Sequence, residues 1–359
     1  MARTYDAIVV GLGAMGASTT YQLAKAGASV LGLDRHHPPH ELGSSHGETR
    51  ITRLAIGEGS QYVPLVKRSH ELWREIEAET GETLLTQTGM LLIGADRAAV
   101  LHGADDFLAA TIAAAQEHEV EHEVLTARDV TERFAQFALS GTERGAYYEP
   151  GAGHVRPEAA VAAQLRLAER HGAELRFGER AAEVTSGRVR TDQGAYAADH
   201  VILSAGPWIP ELLPSLDVKI HRQVQYWFET TPDAPRDAPI FIWELGGGPD
   251  DFFYGFPPNG GAIKLSSEDY ARTTTPDACE REVSEEERQR FHDRFVEGRL
   301  NGVGERCVKA TTCLYTVTPD RGFVIEHRDD VLLVSACSGH GFKHSAAIGE
   351  AVARRVARR

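Results

Sequence analysis

The sequence has few cysteines, no long apolar run and a shortage of basic residues. Its four cysteines are Cys279, Cys307, Cys313 and Cys337, and no two of them form a Cys-x-x-Cys pair. Since no secretion-signal pattern precedes them, they indicate a reducing cytoplasm rather than a disulfide framework. No apolar run approaches the length of a membrane span. The net charge of -14 argues against nucleic acid or a membrane surface as a partner.

Internal repeats and low-complexity linkers are also absent from the 359 residues. Two domains are the default for a chain of this length. Three separated segments share one pattern, in which a strand is followed by a glycine turn and a helix. This pattern is typical of a nucleotide-binding α/β domain. It predicts that one such domain is assembled from residues 1–83, 152–218 and 320–359.

The two intervening segments, 84–151 and 219–319, differ from the rest in composition. They carry strand-like sequences such as VQYWFET, FFYGFP and AIKLSS, which are rich in the β-branched and aromatic residues that favour strands. We therefore expect an α+β fold. In it an α/β nucleotide-binding domain is joined to a substrate domain built on a mainly antiparallel sheet.

The motif GLGAMG follows the strand-like run YDAIVV and precedes a helical pattern. Gly11 permits a tight turn, Gly13 lets a pyrophosphate approach the backbone, and Gly16 lets the helix pack on the strand. The phosphates then lie at a helix N-terminus. Asp34 ends the next strand, where an acid can bind a ribose hydroxyl. The alternative is a plain glycine turn, but the strand, the helix and the acid together predict dinucleotide binding.

Two later segments distinguish FAD from NAD, which the fingerprint alone does not do. SAGPW, residues 204–208, closes a strand with a glycine, as in FAD domains of the glutathione-reductase-like type. SGHGFK, residues 338–343, is a glycine loop ahead of a helix, whose backbone donors suit negative charge on a flavin ring. An ordinary αβ loop is the alternative interpretation of residues 338–343, and a nicotinamide-dependent dehydrogenase is the alternative function.

A cationic patch stands out in this acidic protein. Between residues 34 and 53 the basic side chains are Arg35, His36, His37, His40, His46, Arg50 and Arg53, against three acids. The patch predicts a site for a small anion, with a solvated loop as the alternative. Two histidine clusters, HHPPH and HGFKH, suggest a metal. We predict none, because no matching carboxylate or thiolate set accompanies them.

Four motifs together carry a family resemblance: GSSHGETRITRLAIGEGSQYVPL, YGFPPNGGAIK, CLYT and SGHGFKHS. The chain resembles the monomeric sarcosine oxidase and N-methyltryptophan oxidase family, which are FAD-dependent amine oxidoreductases related to D-amino-acid oxidase. The resemblance implies an oxidase of a secondary amine, an N-methyl or cyclic amino acid, that forms an imine and reduces O2 to H2O2. It also implies a small amine substrate with a carboxylate, and a monomer.

The resemblance also implies a covalent bond between the cofactor and the chain. Cys313 stands where the family attaches the flavin 8α carbon through a thioether. A thiolate is a suitable nucleophile for such a bond. Without the other motifs, an isolated cysteine is better interpreted as a small buried apolar residue.

Further roles follow from the resemblance, residue by residue. Lys264 matches the lysine that activates oxygen, and His46 and Arg50 match residues beside the flavin; these three are the predicted catalytic residues. Arg53 and Lys343 match the pair that holds the substrate carboxylate, and Tyr254 and Tyr315 match pocket tyrosines. Each has an alternative: Arg53 could pair with Glu58, Lys264 could be a strand-edge lysine, and the tyrosines could be core residues.

Nineteen residues are predicted to contact the cofactor. They lie in the glycine turn, the cationic patch and the later glycine loops: Gly11, Leu12, Gly13, Ala14, Met15, Gly16, Asp34, Arg35, Ser44, Ser45, Thr49, Ala181, Gly206, Trp208, Gly339, His340, Gly341, Phe342 and Lys343.

One departure from the family concerns substrate binding. Glu268 stands where the sarcosine-oxidising members carry a histidine, so it either pairs with a cationic amine or points away from the pocket. This difference weakens the case for sarcosine itself. The alternative enzyme is a biosynthetic flavin-dependent oxidase or dehydrogenase of an imino acid or amine with a larger substrate. A catalytically silent flavin-binding protein is the alternative outside the enzymes.

Overall fold

A computed structural model describes residues 4–232 and 234–357 of the chain. The α-helices of the described residues are α1 (Ala14–Lys25), α2 (Val63–Thr80), α3 (Phe107–Glu117), α4 (Ala127–Arg133), α5 (Pro157–Arg170), α6 (Ile209–Leu212), α7 (Glu285–Phe291) and α8 (Ser345–Val356). None of these helices is long and apolar enough to cross a bilayer.

The strands fall into three sheets. In chain order they are β1 (Thr4–Val10), β2 (Val30–Asp34), β3 (Arg50–Thr52), β4 (Leu85–Gln87), β5 (Met90–Gly94), β6 (Glu123–Leu125), β7 (Gly145–Glu149), β8 (Gly153–Val155), β9 (Glu174–Phe177), β10 (Ala181–Thr185), β11 (Arg188–Thr191), β12 (Ala195–Leu203), β13 (Lys219–Thr230), β14 (Ile240–Glu244), β15 (Phe252–Gly255), β16 (Ala262–Ser267), β17 (Val303–Val317), β18 (Val324–Arg328) and β19 (Val331–Ser335).

The first sheet has a parallel centre in the order β9-β2-β1-β12-β19. β10, β11 and β18 extend it with antiparallel pairs. Helices α1, α2, α5 and α8 cover one face with a core that includes Leu23, Trp73, Leu167 and Ile348. Its strands come only from the three segments predicted to form the nucleotide-binding domain. The carboxyl ends of parallel strands meet at one edge, where α/β proteins bind their ligands.

The second sheet has the order β17-β13-β16-β15-β14-β5-β7-β6. All its pairs are antiparallel except β14 with β5. Apolar clusters fill both faces, one around Phe228 and Trp243 and the other around Leu92 and Phe107. A small third sheet, β3-β8-β4, starts at Arg50. The predicted mainly antiparallel sheet is therefore present, while the exact domain boundaries stay a prediction.

Close packing between α1 and α8 fixes the start of α1, because Gly349 leaves no side chain between the two helices. A Cβ on Gly349 would lie 2.1 Å from Ser18 Oγ, and Ser18 Oγ donates to Ala346 O at 3.1 Å. Gly16 likewise lets α1 pack closely against the end of β1, because a Cβ on Gly16 would lie 1.7 Å from Gly11 O. These contacts hold the glycine turn against the edge of the first sheet.

Candidate functional site

A long cleft runs along the carboxyl ends of β1, β2, β12 and β19. It encloses about 1330 Å³, including the part that is open to solvent. Fourteen of the nineteen predicted cofactor contacts line it: Gly11, Gly13, Ala14, Met15, Asp34, Arg35, Ser44, Ser45, Ala181, Gly206, Trp208, Gly339, Gly341 and Phe342. The topology of the first sheet therefore brings together residues from all three segments of the predicted nucleotide-binding domain.

The glycine turn forms a cradle that a larger side chain would fill. A Cβ on Gly11 would lie 2.6 Å from Ser204 O, and Gly11 has a φ of 89°, which disfavours other residues. Gly13 begins α1 without a side-chain cap, and a Cβ there would lie 3.4 Å from Ser45 Oγ. The N-terminus of α1, next to glycines that have no side chain, lets a pyrophosphate approach the backbone N–H groups. These residues fit FAD.

Asp34 ends β2 at the cleft, as predicted. Its Oδ2 accepts from Leu12 N at 2.7 Å and its Oδ1 accepts from His36 N at 2.8 Å. Burial raises its pKa, and the two backbone donors oppose that shift. Asp34 therefore stabilises the glycine turn itself, and each oxygen keeps a lone pair for a ribose hydroxyl.

Five predicted cofactor contacts do not line the cleft. Leu12 and Gly16 lie behind its wall, because the Leu12 side chain packs beneath Gly32 and Gly16 packs on Gly11. The other three line a second cavity instead: Thr49, His340 and Lys343.

This second cavity, the inner cavity, lies between the first and second sheets. It encloses about 630 Å³, including the part that is open to solvent. Most of the predicted catalytic and substrate-binding side chains line it: Arg50, Arg53, Tyr254, Lys264, Glu268, Tyr315 and Lys343. Four residues line both the cleft and the inner cavity: Arg50, Tyr315, Gly339 and Phe342. The two spaces therefore adjoin, as a cofactor and its substrate require.

The two predicted carboxylate anchors share one acid. Arg53 Nη2 donates to Glu58 Oε2 at 2.6 Å, and Lys343 Nζ donates to Glu58 Oε1 at 3.2 Å. Burial opposes ionisation of Glu58, but the charges of Arg53 and Lys343 hold its pKa well below the ordinary value. Burial lowers the pKa of Lys343 to about 8, while Glu58 opposes this. Arg53 therefore does pair with Glu58, which was the alternative interpretation of this arginine. The trio of Arg53, Lys343 and Glu58 carries one more positive charge than negative charge.

Lys264 is 5% exposed and is fixed by backbone carbonyls. Its Nζ donates to Gly47 O at 2.5 Å and to Thr49 O at 2.7 Å. Glu158 holds the same loop from the other side, because its Oε1 accepts from Gly47 N at 2.5 Å and Glu48 N at 3.0 Å. Burial, followed by the charge of Arg50, lowers the pKa of Lys264 well below its ordinary value. Lys264 is therefore a fixed group of the cavity wall rather than a strand-edge lysine.

Arg50 lines the junction of the two spaces, and the buried residues His46 and Cys313 lie near it. Arg50 Nη2 lies 3.4 Å from Cys313 Sγ, and Cys313 is fully buried. Burial, then Arg50 and Lys264, lowers the pKa of His46 to about 3, so the imidazole is neutral at physiological pH.

Tyr254 and Tyr315 face each other across the inner cavity, with their hydroxyl oxygens 3.4 Å apart. Burial raises the pKa of both hydroxyls. Cys313 and Tyr315 are two residues apart on β17 and so lie on one face of the strand. Glu268 follows β16 and lines the inner cavity instead of pointing away from it.

Sequence reasoning missed four polar residues that shape the site. Glu58 was considered only as a possible partner of Arg53, and Glu158, His102 and Tyr270 were not considered. Glu158 lies in the first turn of α5, an ordinary place for an acid, so its position gave no functional signal. His102 lines the inner cavity and Tyr270 contacts Glu268, both from loops whose approach no local pattern predicts. The described residues contain no group of three or more potential ligands arranged to hold a metal ion.

Comparison with known proteins identifies the family. The sequence matches the family described as FAD dependent oxidoreductase over residues 6–355. The chain belongs to this family. It is 39% identical to the monomeric sarcosine oxidase of Streptomyces avermitilis, with 98% of this chain and 94% of that protein covered. It is 34% identical to the N-methyl-L-tryptophan oxidase of Yersinia pestis, with coverage of 97% and 94%.

The fold is similar to that of solved enzymes. NikD, an amino acid oxidase essential for nikkomycin biosynthesis, aligns with a TM-score of 0.84 at 27% identity, covering 99% of this chain and 94% of that one. Together the comparisons confirm the family resemblance, the α+β fold class and the FAD-dependent oxidoreductase activity predicted from the sequence. The individual residue roles stay predictions, because position alone does not establish a role.

The Glu58 bridge, by which we mean the ion pairs of Glu58 with Arg53 and Lys343, leads to a stability prediction. Glu58→Gln keeps the shape of the side chain but leaves Arg53 and Lys343 buried without a counter-charge. We expect the holoprotein to lose about 3–5 kcal/mol of unfolding free energy. Added propionate should restore part of the loss, since its carboxylate replaces the missing charge. Thermal unfolding with and without propionate measures both effects.

Glu71→Gln is the matched control for this experiment. Glu71 pairs with Arg68 at 2.7 Å on the surface, where its side chain is 64% exposed. Its loss should change the unfolding free energy by about 0–1 kcal/mol, with no dependence on propionate. A Glu58→Gln variant as stable as the native protein, and indifferent to propionate, would show that the cations do not need an acidic partner.

Proposed function

We propose that this protein is an FAD-dependent oxidase of a secondary amine, an N-methyl or cyclic amino acid. The observation that carries the proposal is a buried pair of cationic side chains, Arg53 and Lys343, in a cavity that adjoins the cleft. FAD, which the glycine turn and Asp34 would hold, would supply a two-electron acceptor for oxidation of the substrate C–N bond and a reductant for O2. Relatives named for sarcosine and N-methyl-L-tryptophan support this choice of substrate class.

Arg53 and Lys343 have the task of orienting the substrate. Arginine can hold a carboxylate through two parallel hydrogen bonds, and Lys343 adds a point charge. Both side chains are buried, at 2% and 5% exposure, so water competes little with the ligand. Holding the carboxylate places the adjacent carbon near the junction with the cleft, which supplies the orientation part of the rate.

A panel of N-methyl and cyclic amino acids tests the function. Mixed anaerobically with the holoprotein, a true substrate should bleach the flavin absorbance, and air should then restore the colour and form H2O2. Comparing oxygen uptake with reduction of an artificial acceptor separates an oxidase from a dehydrogenase. A panel in which no amine bleaches the flavin would support the silent flavin-binding protein instead.

We propose that Lys264 assists the reaction with O2. Its ammonium, fixed on Gly47 O and Thr49 O, would stabilise negative charge as an electron reaches oxygen. Lys264→Met should slow reoxidation of the reduced protein by about 10²–10³-fold, while anaerobic reduction by substrate stays nearly unchanged. Rapid mixing of the reduced protein with oxygenated buffer measures the first rate.

Lys309→Met is a suitable control for Lys264. Both ammonium groups lie near the Trp227 ring, at 4.6 Å for Lys309 and 5.5 Å for Lys264, but Lys309 is partly exposed and pairs with Glu48. Its replacement should leave reoxidation unchanged. Equal reoxidation rates in Lys264→Met and in the native protein would show that Lys264 does not assist the reaction with O2.

We also propose that the flavin is attached to Cys313. The support is the position of Sγ beside the Arg50 guanidinium at 3.4 Å, behind residues that line both the cleft and the inner cavity. Cationic groups next to a flavin make its ring electron-poor, which suits attack by a thiolate. We extend the proposal to a cytoplasmic monomer without a nucleic-acid partner, in keeping with the net charge of -14.

Acid precipitation tests the attachment. The yellow colour should stay with the precipitated native protein and with Cys337→Ser, but leave the Cys313→Ser protein as free FAD. Cys337 is the matched control because it is a cysteine that lines the cleft itself. Mass spectrometry should find the flavin mass on the peptide that contains residue 313. Native protein that releases free FAD into the acid supernatant would make Cys313 an ordinary buried cysteine.

A further inference from the structure

Glu268 is a buried acid without a cationic partner. Its side chain is 3% exposed, and it lines the inner cavity immediately after β16. The Tyr270 hydroxyl donates a short hydrogen bond to Oε2. Among the described residues, the one ion-pair neighbour is His102, whose Nδ1 lies 3.7 Å from Oε2. Burial lowers the pKa of His102 to about 3, so at physiological pH this histidine carries no charge to pair with Glu268.

The charged and titratable groups that face Glu268 come from several elements: Tyr270, His102, Asp250, Arg321, Glu58 and Lys343. The two cations among them already have acids of their own. Arg321 Nη2 donates to Asp250 Oδ2 at 3.0 Å, and Lys343 is bound to Glu58. Burial raises the pKa of Glu268 to about 8, although the Tyr270 bond opposes the shift. Among the described residues, no cation thus forms an ion pair with an ionised Glu268 except a protonated His102, although the charge of Arg321 favours ionisation.

The charges of one group of side chains in the inner cavity, Arg53, Lys343, Glu58 and Glu268, match those of a zwitterion. Arg53 and Lys343 outnumber Glu58 by one positive charge, which one substrate carboxylate cancels. A protonated amine entering with that carboxylate then needs an acid, because a buried unpaired charge is costly. Glu268 is close enough to Lys343 and to Tyr254 to affect the pKa of each. All of these side chains line the inner cavity, so an amino acid anchored at Arg53 and Lys343 has Glu268 within the same space.

We propose that Glu268 is the specificity-determining partner of the substrate nitrogen: its carboxylate binds the protonated secondary amine of an amino acid whose carboxylate is held by Arg53 and Lys343. The inference rests on the proposed function and adds the charge state in which the substrate is recognised.

The pairing also provides a route to the uncharged amine. A proton passes from the substrate nitrogen to a Glu268 oxygen, so that an N–H bond breaks and an O–H bond forms. The electron pair of the N–H bond stays on nitrogen, and the charges of the ammonium and the carboxylate cancel. Oxidation of the C–N bond requires this electron pair, since a protonated nitrogen has none to donate.

Two probes that differ only in charge test the pairing. Betaine carries a carboxylate and a trimethylammonium group, while 3,3-dimethylbutyrate has the same shape with a neutral carbon in place of nitrogen. Neither has a nitrogen that can lose a proton, so binding is measured without turnover. The holoprotein is titrated with each, and the change in flavin absorbance gives two dissociation constants. Their ratio isolates the preference for the cation.

The native protein should bind betaine about 10-fold more tightly than 3,3-dimethylbutyrate, and Glu268→Gln should bring the ratio close to one. In the native protein the preference should grow as pH rises from 6 to 9, because Glu268 becomes ionised above its pKa. Lys343 loses its charge over the same range, which weakens the carboxylate contact of both probes but also removes a cation near the trimethylammonium group. The pH series of Glu268→Gln measures this second effect, and the ratio should rise less with pH in that variant than in the native protein.

Glu244→Gln is the matched control. Glu244 is another buried carboxyl, whose pKa burial raises to about 7, but it lies 3.7 Å from Arg144 and outside the cavity. Its replacement should leave the ratio unchanged. If Glu268→Gln keeps the native preference, Glu268 is not the partner of the nitrogen.

The remaining outcomes separate the inference from the proposed function. If neither probe binds the native holoprotein, the carboxylate site itself is wrong, and the inference is overturned with it. If the Glu268→Gln variant does not bind flavin, the pH dependence of the betaine preference in the native protein tests the inference instead. A native preference that stays flat between pH 6 and 9 overturns the role of Glu268, whereas a rising one supports it.

Discussion

The binding of Lys264 Nζ by two backbone carbonyls is the contact on which the assembly of the site depends. Gly47 O and Thr49 O belong to segment 43–50, and Lys264 belongs to β16 of the second sheet. The same segment is held from the first sheet's side, because its backbone donates to Glu158 on α5. Segment 43–50 lines the cleft at one end and the inner cavity at the other. The loop thus sets where cofactor and substrate meet, and a loop without these bonds would be free to move.

A second constraint is the cost of burying charge. Arg53, Lys343 and Glu58 lie together at under a tenth exposure, and such groups are tolerated only when they are paired. The trio nevertheless keeps one positive charge in excess, inside a protein whose net charge is -14. The exterior repels anions at long range, so any attraction of an anion to this site acts at short range. Of the cationic patch that predicted a site for a small anion, only Arg53 belongs to the trio, and the anion site stays a prediction.

The parts of the structure that depend on local backbone geometry could be predicted from the sequence. The turn at Gly11, the approach at Gly16 and the position of Asp34 follow from residue type and spacing, because only certain residues permit them. The placement of Cys313 and Lys343 came from the resemblance. The Glu58 bridge and the approach of His102 to Glu268 could not be predicted, since they depend on how loops distant in sequence pack. The same reason applies to Thr49 and His340, which line the inner cavity and not the cleft; their contact with the cofactor stays a prediction.

Part of the apolar lining of the inner cavity comes from elements that carry none of its charged groups, and this has a consequence for specificity. The groups proposed to hold a carboxylate and a nitrogen come from the glycine loop before α8, from segment 50–58 and from the residue after β16. The apolar wall is formed by side chains of α3, β14 and β15, among them Phe107, Ile242 and Phe252. Apolar contacts contribute equally to the bound substrate and its transition state, so they change affinity more than rate. The wall can therefore vary with the substrate side chain while the charged groups keep the same reaction geometry. Such a division explains how relatives named for sarcosine and for N-methyl-L-tryptophan share one family.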